Sequence, residues 1–235
     1  MRPAIKGILF DLDDTLLDHI GASRTAVLAY AATLPDWTRD EAATLDHWFA
    51  MENEHFARYL TGEYTMQEQR RARLRGFLDL PDTDDDALDE QFERYLEHYE
   101  GSWQAFPGAP ELVLRLLDDG FQVGILTNGA SRQQRAKITA IGLDDPRLVV
   151  CVSEELPAPK PSPLAFAAAC TALDLPPDQV LMVGDNPVTD IEGALAAGLH
   201  AAHVSREGVA DRPGWDSRVQ RISVVTELQL SPHPT

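Results

Sequence analysis

Three carboxylates and a hydroxyl follow one short apolar run near the N-terminus. The apolar residues 8–10 lead directly into Asp11, and Asp13, Asp14 and Thr15 come next. Carboxylates this close together repel one another unless a cation or protons intervene, and a hard divalent ion prefers several oxygen ligands. This stretch is therefore expected to form a metal-dependent site.

The elements around this stretch indicate the fold that must position it. An apolar run with β-branched and aromatic members predicts a strand buried on both faces. Helical patterns alternate with further strand patterns, which implies right-handed crossovers and a parallel sheet. These strand patterns lie at residues 121–126, 148–152, 180–183 and 200–204, with a possible short sixth at 222–225. We predict an α/β protein with a Rossmann-like doubly wound parallel sheet, whose ligands bind outside the carboxyl ends of the strands.

A block of helical patterns interrupts the alternation after the first strand. Four amphipathic stretches lie in this block, and two of them begin at capping-box pairs, Thr38 with Glu41 and Thr65 with Glu68. We predict that residues 1–16 and 106–235 form the core, and that residues 17–105 form a four-helix cap inserted after strand one. A cap in this position could act as a lid.

Four arginines, at positions 70, 71, 73 and 75, lie on the third helix of the predicted cap. The segment 17–105 as a whole carries a large excess of acidic residues, with 19 acidic and 8 basic side chains, these four arginines included. Two interpretations are open. The arginines could form a solvated helix face that pairs with Glu68 and its neighbours, or they could recognise an anionic group of a substrate.

The composition excludes several classes of protein. The chain has 235 residues, 44% of them hydrophobic, and a formal net charge of −18. It can bury a sizeable core, whereas its charge would repel nucleic-acid phosphates or an anionic membrane. It has no signal-peptide n-region and no apolar run near the ~20 residues that span a bilayer. We expect a cytoplasmic protein with no nucleic-acid or membrane partner, with Cys151 and Cys170 reduced and buried. A monomer and a homodimer are both open.

Other polar residues fall at the ends of the later strands or in the loops beyond them. A transferring phosphoryl group needs its charge matched by a metal, an ammonium group and hydrogen-bond donors. Asp11, Asp185 and the backbone carbonyl of Asp13 could share a divalent ion. One carboxylate could attack phosphorus, and a second could protonate the leaving oxygen and then activate water. The remaining candidates are Thr127 and Lys160 for the phosphoryl group, Asp190 in support of the metal, and Asn128, which could cap the next helix or contact the substrate.

With these residues the sequence resembles the haloacid dehalogenase-like hydrolase superfamily, in the branch with a helical cap after the first strand. Four motifs of that family occur in order along almost the whole chain. They are Asp11-Leu12-Asp13-Asp14-Thr15, Thr127 at the end of the next core strand, Lys160-Pro161 ahead of a helix, and Gly184-Asp185 followed by Asp190. The stretch Thr127-Asn128-Gly129, with Gln134 and Lys137 beyond it, is similar to the branch that contains nucleotidases and N-acylneuraminate-9-phosphate phosphatases.

The resemblance implies a role for each matching residue. Asp11 would be the nucleophile and Asp13 the general acid/base, while Asp14, where relatives commonly have Gly, would be a turn residue that points to solvent. The phosphoryl group would be bound by Thr127 and Lys160, and Asn128 next to Thr127 stays a further candidate for phosphate binding. Mg²⁺ would be held by Asp11, Asp13 and Asp185, with Asp190 in support.

The activity that the resemblance implies is magnesium-dependent hydrolysis of a small phosphorylated metabolite through an aspartyl-phosphate intermediate. The second aspartate, Asp13, favours a phosphatase, because the dehalogenases of the family attack carbon and need no leaving-group acid there. A phosphomutase of a sugar phosphate, a haloacid dehalogenase and a catalytically idle binding protein are the alternatives.

Overall fold

The structure is a computed structural model that describes residues 4–205, 215 and 218–230. Six strands and eight α-helices occur in this part of the chain. The strands are β1 (Gly7–Phe10), β2 (Gln122–Thr127), β3 (Val149–Val152), β4 (Val180–Gly184), β5 (His200–Val204) and β6 (Val219–Ile222). The helices are α1 (His19–Ala31), α2 (Glu41–Leu60), α3 (Met66–Leu78), α4 (Asp85–Glu100), α5 (Ala109–Asp118), α6 (Ser131–Ala140), α7 (Pro163–Ala172) and α8 (Gly193–Ala196).

The strands form one parallel sheet in the order β3-β2-β1-β4-β5-β6. All four residues of β1 are buried, as expected for a central strand covered on both faces. The predicted Rossmann-like α/β fold class is therefore confirmed. The sixth strand was placed wrongly: it runs over Val219–Ile222, not 222–225, because the segment that follows forms a single helical turn at Val225–Glu227.

The chain divides into two compact units. One contains the described residues up to Asp18 together with those from Gln104 onward, and the other is His19–Trp103. In the first unit, β1, β2 and β4 contribute Leu9, Leu126 and Met182 to an apolar cluster that also contains Phe166 of α7. In the described part of the chain, no helix is long and apolar enough to cross a membrane. Both cysteines are free and buried, as predicted.

The second unit consists of the four helices α1–α4 around an aromatic core. Trp48, Tyr30 and Phe77 are fully buried there. Thr65 and Glu68 form the predicted capping box at the start of α3. The predicted box of Thr38 with Glu41 is wrong, because Asp40 caps α2 by accepting a hydrogen bond from the Ala43 N–H group.

Three of the four arginines of α3 fall into two groups. Arg71 lies 2.7 Å from Asp85 and 2.6 Å from Asp89, and Arg75 also pairs with Asp85. These pairs fit the interpretation of a solvated face, with α4 supplying the partners in place of Glu68. Arg73 does not fit it: its side chain is buried, 2.9 Å from Glu52, with its guanidinium carbon 3.9 Å from the centre of the Trp48 ring.

Candidate active site

The sheet order brings three of the predicted site segments to one edge. Strand β1 lies between β2 and β4, and all three strands point the same way. Asp11 follows β1, Thr127 is the last residue of β2, and Asp185 follows β4. The Asp11 N–H group donates to the carbonyl of Val183 at 2.8 Å, which continues the pairing of β1 with β4. The central strands therefore deliver these side chains side by side at the carboxyl edge.

Lys160 links two of the predicted carboxylates. Its Nζ donates to Asp11 Oδ1 at 2.6 Å and to Asp190 Oδ1 at 2.7 Å, and the ammonium group is buried. Burial is the largest influence on the pKa of Asp11 and raises it well above the usual range; Lys160 opposes this, and the Asp190 and Asp185 carboxylates add to it. Burial alone would lower the pKa of Lys160, but attraction to Asp11 and Asp190 outweighs it and raises that pKa. The lysine is held as a cation.

Asp190 reaches this position because the chain after β4 makes a wide helical turn. Pro187–Glu192 forms a π-helical turn in which the N–H group of Ile191 donates to the carbonyl of Asn186 at 3.3 Å. Such turns are often found at functional sites. The turn presses the Asp190 carboxylate against Gly184, where an added Cβ would lie only 2.3 Å from Asp190 Oδ2. Glycine is therefore required before Asp185 to make room for Asp190.

Three carboxylates form a group that could hold a metal ion. Asp11, Asp185 and Asp190 each offer one oxygen, and the three oxygens lie within 4.8 Å of one another. Asp185 is supported from two sides: Thr15 Oγ1 donates to its carboxylate at 3.4 Å, and His203 Nε2 lies 2.9 Å from its backbone carbonyl. A cluster of hard carboxylate oxygens suits Mg²⁺, which binds one or two carboxylates and keeps several waters. The donor set therefore fits the predicted metal.

Asn128 has partners that neither interpretation of the sequence anticipated. Its Nδ2 donates to the Lys160 carbonyl at 2.9 Å, and its Oδ1 accepts from the Lys160 N–H group at 2.9 Å. Both ends of the amide thus bind the backbone of one residue, and α6 begins after Ala130 without a side-chain cap. Asn128 fastens the loop that carries Lys160 to the end of β2.

Asp13 is held by two residues of α6. Lys137 Nζ lies 2.7 Å from Asp13 Oδ1 and 2.9 Å from Oδ2, and Gln134 Nε2 donates to Oδ2 at 2.9 Å. Gln134 Nε2 also donates to Thr127 Oγ1 at 2.7 Å. The Asp13 side chain is therefore tied to the threonine that ends β2. Its neighbour Asp14 has a φ of 57°, a left-handed conformation typical of a turn residue and readily supplied by glycine.

Gln134 and Lys137 belong to the stretch that resembles the nucleotidase branch, but their positions in the sequence predict no function for them. Lysine is rare in this chain, which has only three, at positions 6, 137 and 160. Gln134 and Lys137 are three residues apart, so they lie on the same face of α6. Because lysine is rare in the chain, its occurrence one helical turn from a glutamine could have indicated that this face of α6 has a function. Nothing in the sequence could have connected it to Asp13, because that contact spans more than a hundred residues.

The sequence matches a known family over most of its length. A family model described as haloacid dehalogenase-like hydrolase matches residues 5–198. Phosphoglycolate phosphatase from Rhodospirillum rubrum is 31% identical over 214 residues, which cover 87% of this chain and 83% of that protein. Pyrimidine 5'-nucleotidase YjjG from Escherichia coli is 28% identical over 217 residues, which cover 88% of this chain and 91% of that protein.

Solved structures share the fold. The HAD hydrolase YfnB from Bacillus subtilis, bound to magnesium, has a TM-score of 0.76 and 24% identity, covering 96% of this chain and 97% of that one. A dehalogenase with an intermediate complex has a TM-score of 0.74 and 23% identity, covering 97% of this chain and 96% of that one. At these identities, the likeness concerns the fold alone.

Proposed function

Because the chain belongs to the haloacid dehalogenase-like hydrolases, we propose that it is a magnesium-dependent phosphatase of small phosphorylated metabolites. Two relatives that it matches over most of their length are named as a phosphoglycolate phosphatase and a pyrimidine 5'-nucleotidase. The observation that carries the proposal is the group of Asp11, Asp185 and Asp190, of which Asp11 and Asp190 are buried, beside the Lys160 ammonium. Three carboxylates with one lysine leave an excess of negative charge, which a divalent cation would offset.

Asp11 is the proposed nucleophile. It follows the central strand, and its backbone is tied to β4, so its carboxylate is held by the rigid part of the sheet. In the first step, one oxygen of Asp11 attacks phosphorus and the bond from phosphorus to the ester oxygen breaks. The leaving oxygen takes a proton from the Asp13 carboxyl group. The products of this step are an alcohol and an aspartyl phosphate.

Asp13 acts again in the second step. Its carboxylate takes a proton from water, the water oxygen bonds to phosphorus, and the bond from phosphorus to Asp11 breaks. Inorganic phosphate leaves, and both aspartates return to their starting state. Asp13 thus serves as acid and then as base, and its carboxyl group is held by Gln134 and Lys137 of α6.

The phosphoryl group would be bound by Lys160 and Thr127. Lys160 is a buried cation held in place by Asp190 and, through its backbone, by Asn128. We therefore assign Asn128 the task of positioning Lys160 for phosphate binding. Thr127 Oγ1 accepts a hydrogen bond from Gln134, which leaves the hydroxyl proton to be donated to a phosphoryl oxygen.

Mg²⁺ would be held by Asp11, Asp185 and the backbone carbonyl of Asp13, with Asp190 in support. When bound, it would offset the negative charge of the phosphoryl group. The prediction that residues 17–105 form a lid is kept as part of this proposal. Closure of such a unit would exclude water during the reaction and its opening would release the product.

The test compares the wild-type protein with Asp11→Asn on 4-nitrophenyl phosphate, in Mg²⁺ and in a chelator. We expect phosphate release that requires Mg²⁺ and falls at least about 1,000-fold in the variant, because a covalent nucleophile is lost. Undiminished phosphate release by Asp11→Asn would refute the mechanism. Halide release from a 2-haloacid would identify a dehalogenase instead, and isomerisation of a sugar phosphate without free phosphate would identify a phosphomutase.

A further inference from the structure

The buried face of α6 has an unusual composition. Of the ten residues of this helix, all of them described, the buried ones are Gln134, Lys137 and Ile138. Gln134 is 1% exposed and Lys137 is 3% exposed. Glutamine and lysine are seldom buried this completely unless they are paired. A core position that needed only packing would carry an apolar side chain, so the two polar residues indicate a task for this face.

Gln134 connects two groups of the proposed reaction. Its Nε2 has two hydrogens, and the Asp13 carboxylate and the Thr127 hydroxyl are both within hydrogen-bond distance, at 2.9 and 2.7 Å. When Asp13 is ionised, its carboxylate can only accept, so in that state the amide nitrogen of Gln134 faces it. Gln134 thereby sets the position of the acid/base relative to the hydroxyl that would bind the phosphoryl group.

Lys137 fixes the same carboxyl group from another direction. Its Nζ is within 2.9 Å of both oxygens of Asp13, so the carboxyl plane as well as its position is constrained. The Asp13 side chain is about a quarter exposed and the Lys137 side chain is buried. The rigid partner is therefore on the helix, and the partner that is held is the aspartate.

The backbone before α6 makes room for Gln134. Gly129 has a φ of +147°, which a residue with a side chain rarely adopts, and its N–H group donates to Ser153 Oγ at 2.9 Å. A Cβ at this position would lie 3.1 Å from Cγ and Cδ of Gln134. The backbone conformation at Gly129, the last residue of the stretch Thr127-Asn128-Gly129, therefore leaves space for the Gln134 side chain at the start of α6.

We propose that Gln134 and Lys137 are positioning residues, which hold the Asp13 carboxyl group in place relative to the phosphoryl group bound at Thr127. They act through Asp13, whose carboxyl oxygens they contact. The inference rests on the proposed phosphatase reaction. Their loss should therefore reproduce, in weaker form, the loss of Asp13 itself.

The test uses steady-state kinetics of Lys137→Met on 4-nitrophenyl phosphate. The 4-nitrophenolate leaving group of this substrate departs with little need of a proton. The kcat/KM of the variant, which reports formation of the aspartyl phosphate, should therefore stay within about threefold of wild type. Hydrolysis of the aspartyl phosphate still needs the base, so kcat should fall roughly 10- to 100-fold, a part of the ~10²- to 10⁴-fold that a positioned acid or base contributes. KM then falls with kcat, and rapid mixing should show a burst of 4-nitrophenolate.

Three further variants are measured beside Lys137→Met. Arg135→Met removes a cation from the same helix, where Arg135 pairs with Glu155 at the surface, and should leave kcat unchanged. Gln134→Met removes the bridge with little change in volume and should show the same split as Lys137→Met, which covers the case in which one of them fails to fold. In an Asp13→Ala background, Lys137→Met should lower kcat by less than about twofold, because a positioning residue cannot act without the group it positions.

The outcomes separate the inference from the proposed function. If the wild-type protein releases no phosphate, or Asp11→Asn remains active, the phosphatase proposal itself fails. If those hold while Lys137→Met has unchanged or raised kcat, or loses kcat/KM as strongly as kcat, the positioning role is refuted. A further large loss in the Asp13→Ala background would refute it as well.

Discussion

Gly184→Ala tests how closely the site is packed, because it adds one methyl group to the strand that leads to Asp185. The new Cβ would lie 2.3 Å from Oδ2, 2.5 Å from Cγ and 2.6 Å from Cβ of Asp190. Ordinary van der Waals contact requires about 3.4 Å or more, so the Asp190 side chain must retreat by about 1 Å. The φ of Gly184 lies outside the left-handed region, so the effect is one of contact and not of backbone strain.

This displacement of the Asp190 side chain should lower the activity more than the stability. Asp190 Oδ1 holds Lys160 Nζ at 2.7 Å, and a shift of about 1 Å lengthens this contact beyond hydrogen-bond distance. A 1 Å misplacement in an active site can cost about 100-fold in rate, so we expect kcat/KM for 4-nitrophenyl phosphate to fall on the order of 100-fold. Overpacking should lower the free energy of unfolding by about 1–3 kcal/mol.

The assay combines kinetics with urea unfolding. Gly101→Ala is the control, since a Cβ there meets nothing nearer than 3.4 Å and the φ of −69° suits alanine. In an Asp190→Gly background, the whole crowding side chain including its Cβ is gone, and Gly184→Ala should lower kcat/KM by less than about threefold. Wild-type activity in Gly184→Ala, or an equal loss with and without the Asp190 carboxylate, would refute the reasoning.

Three more predictions concern the metal group and the helical unit. Mg²⁺ at about 100 times its Kd should raise the free energy of unfolding by ~2.7 kcal/mol in urea titrations, and Asp185→Asn should lose most of that gain; an equal gain would contradict the assigned ligand. Arg73→Met should lower the free energy of unfolding by about 3 kcal/mol, because it leaves the largely buried Glu52 carboxylate without this partner. Arg94→Met, at an exposed pair, should lower it by less than about 0.5 kcal/mol. Similar losses in the two variants would contradict the difference in burial. Burial lowers the pKa of His55 from 6.5, so below that pH the unfolded chain binds more protons and the free energy of unfolding falls. His55→Phe should flatten this part of the pH profile, and an unchanged slope would contradict the prediction.

The candidate site residues could be located from local pattern, because the parallel sheet brings them to one edge. Asp11, Thr127 and Asp185 each follow or end an apolar run, and parallel strands deliver such residues to one edge. The contacts between loops could not be read in this way. Asn128 occupies the position expected for substrate contact, yet its amide is used by the backbone of Lys160, thirty-two residues later.

The errors at element ends have local causes. Thr38 and Glu41 have the right spacing for a capping box, but Asp40 caps α2 in their place, since aspartate is at least as good an N-cap. In the arginine cluster, the spacing along α3 did not reveal that Arg73 turns inward to Glu52 and Trp48 while Arg71 pairs at the surface.

The sequence alone determined the parallel α/β sheet and the residues that stand at its carboxyl edge, because both follow from patterns within one strand or helix. Only the tertiary structure decided how those residues are held. Lys160 stands between Asp11 and Asp190, Gly184 makes room for Asp190, and Lys137 with Gln134 fixes Asp13. Each of these last relations depends on distances of about 2.3–2.9 Å, held between segments far apart in the chain. Side-chain spacing along one element carries no information about such distances, whereas close packing of the folded core sets them.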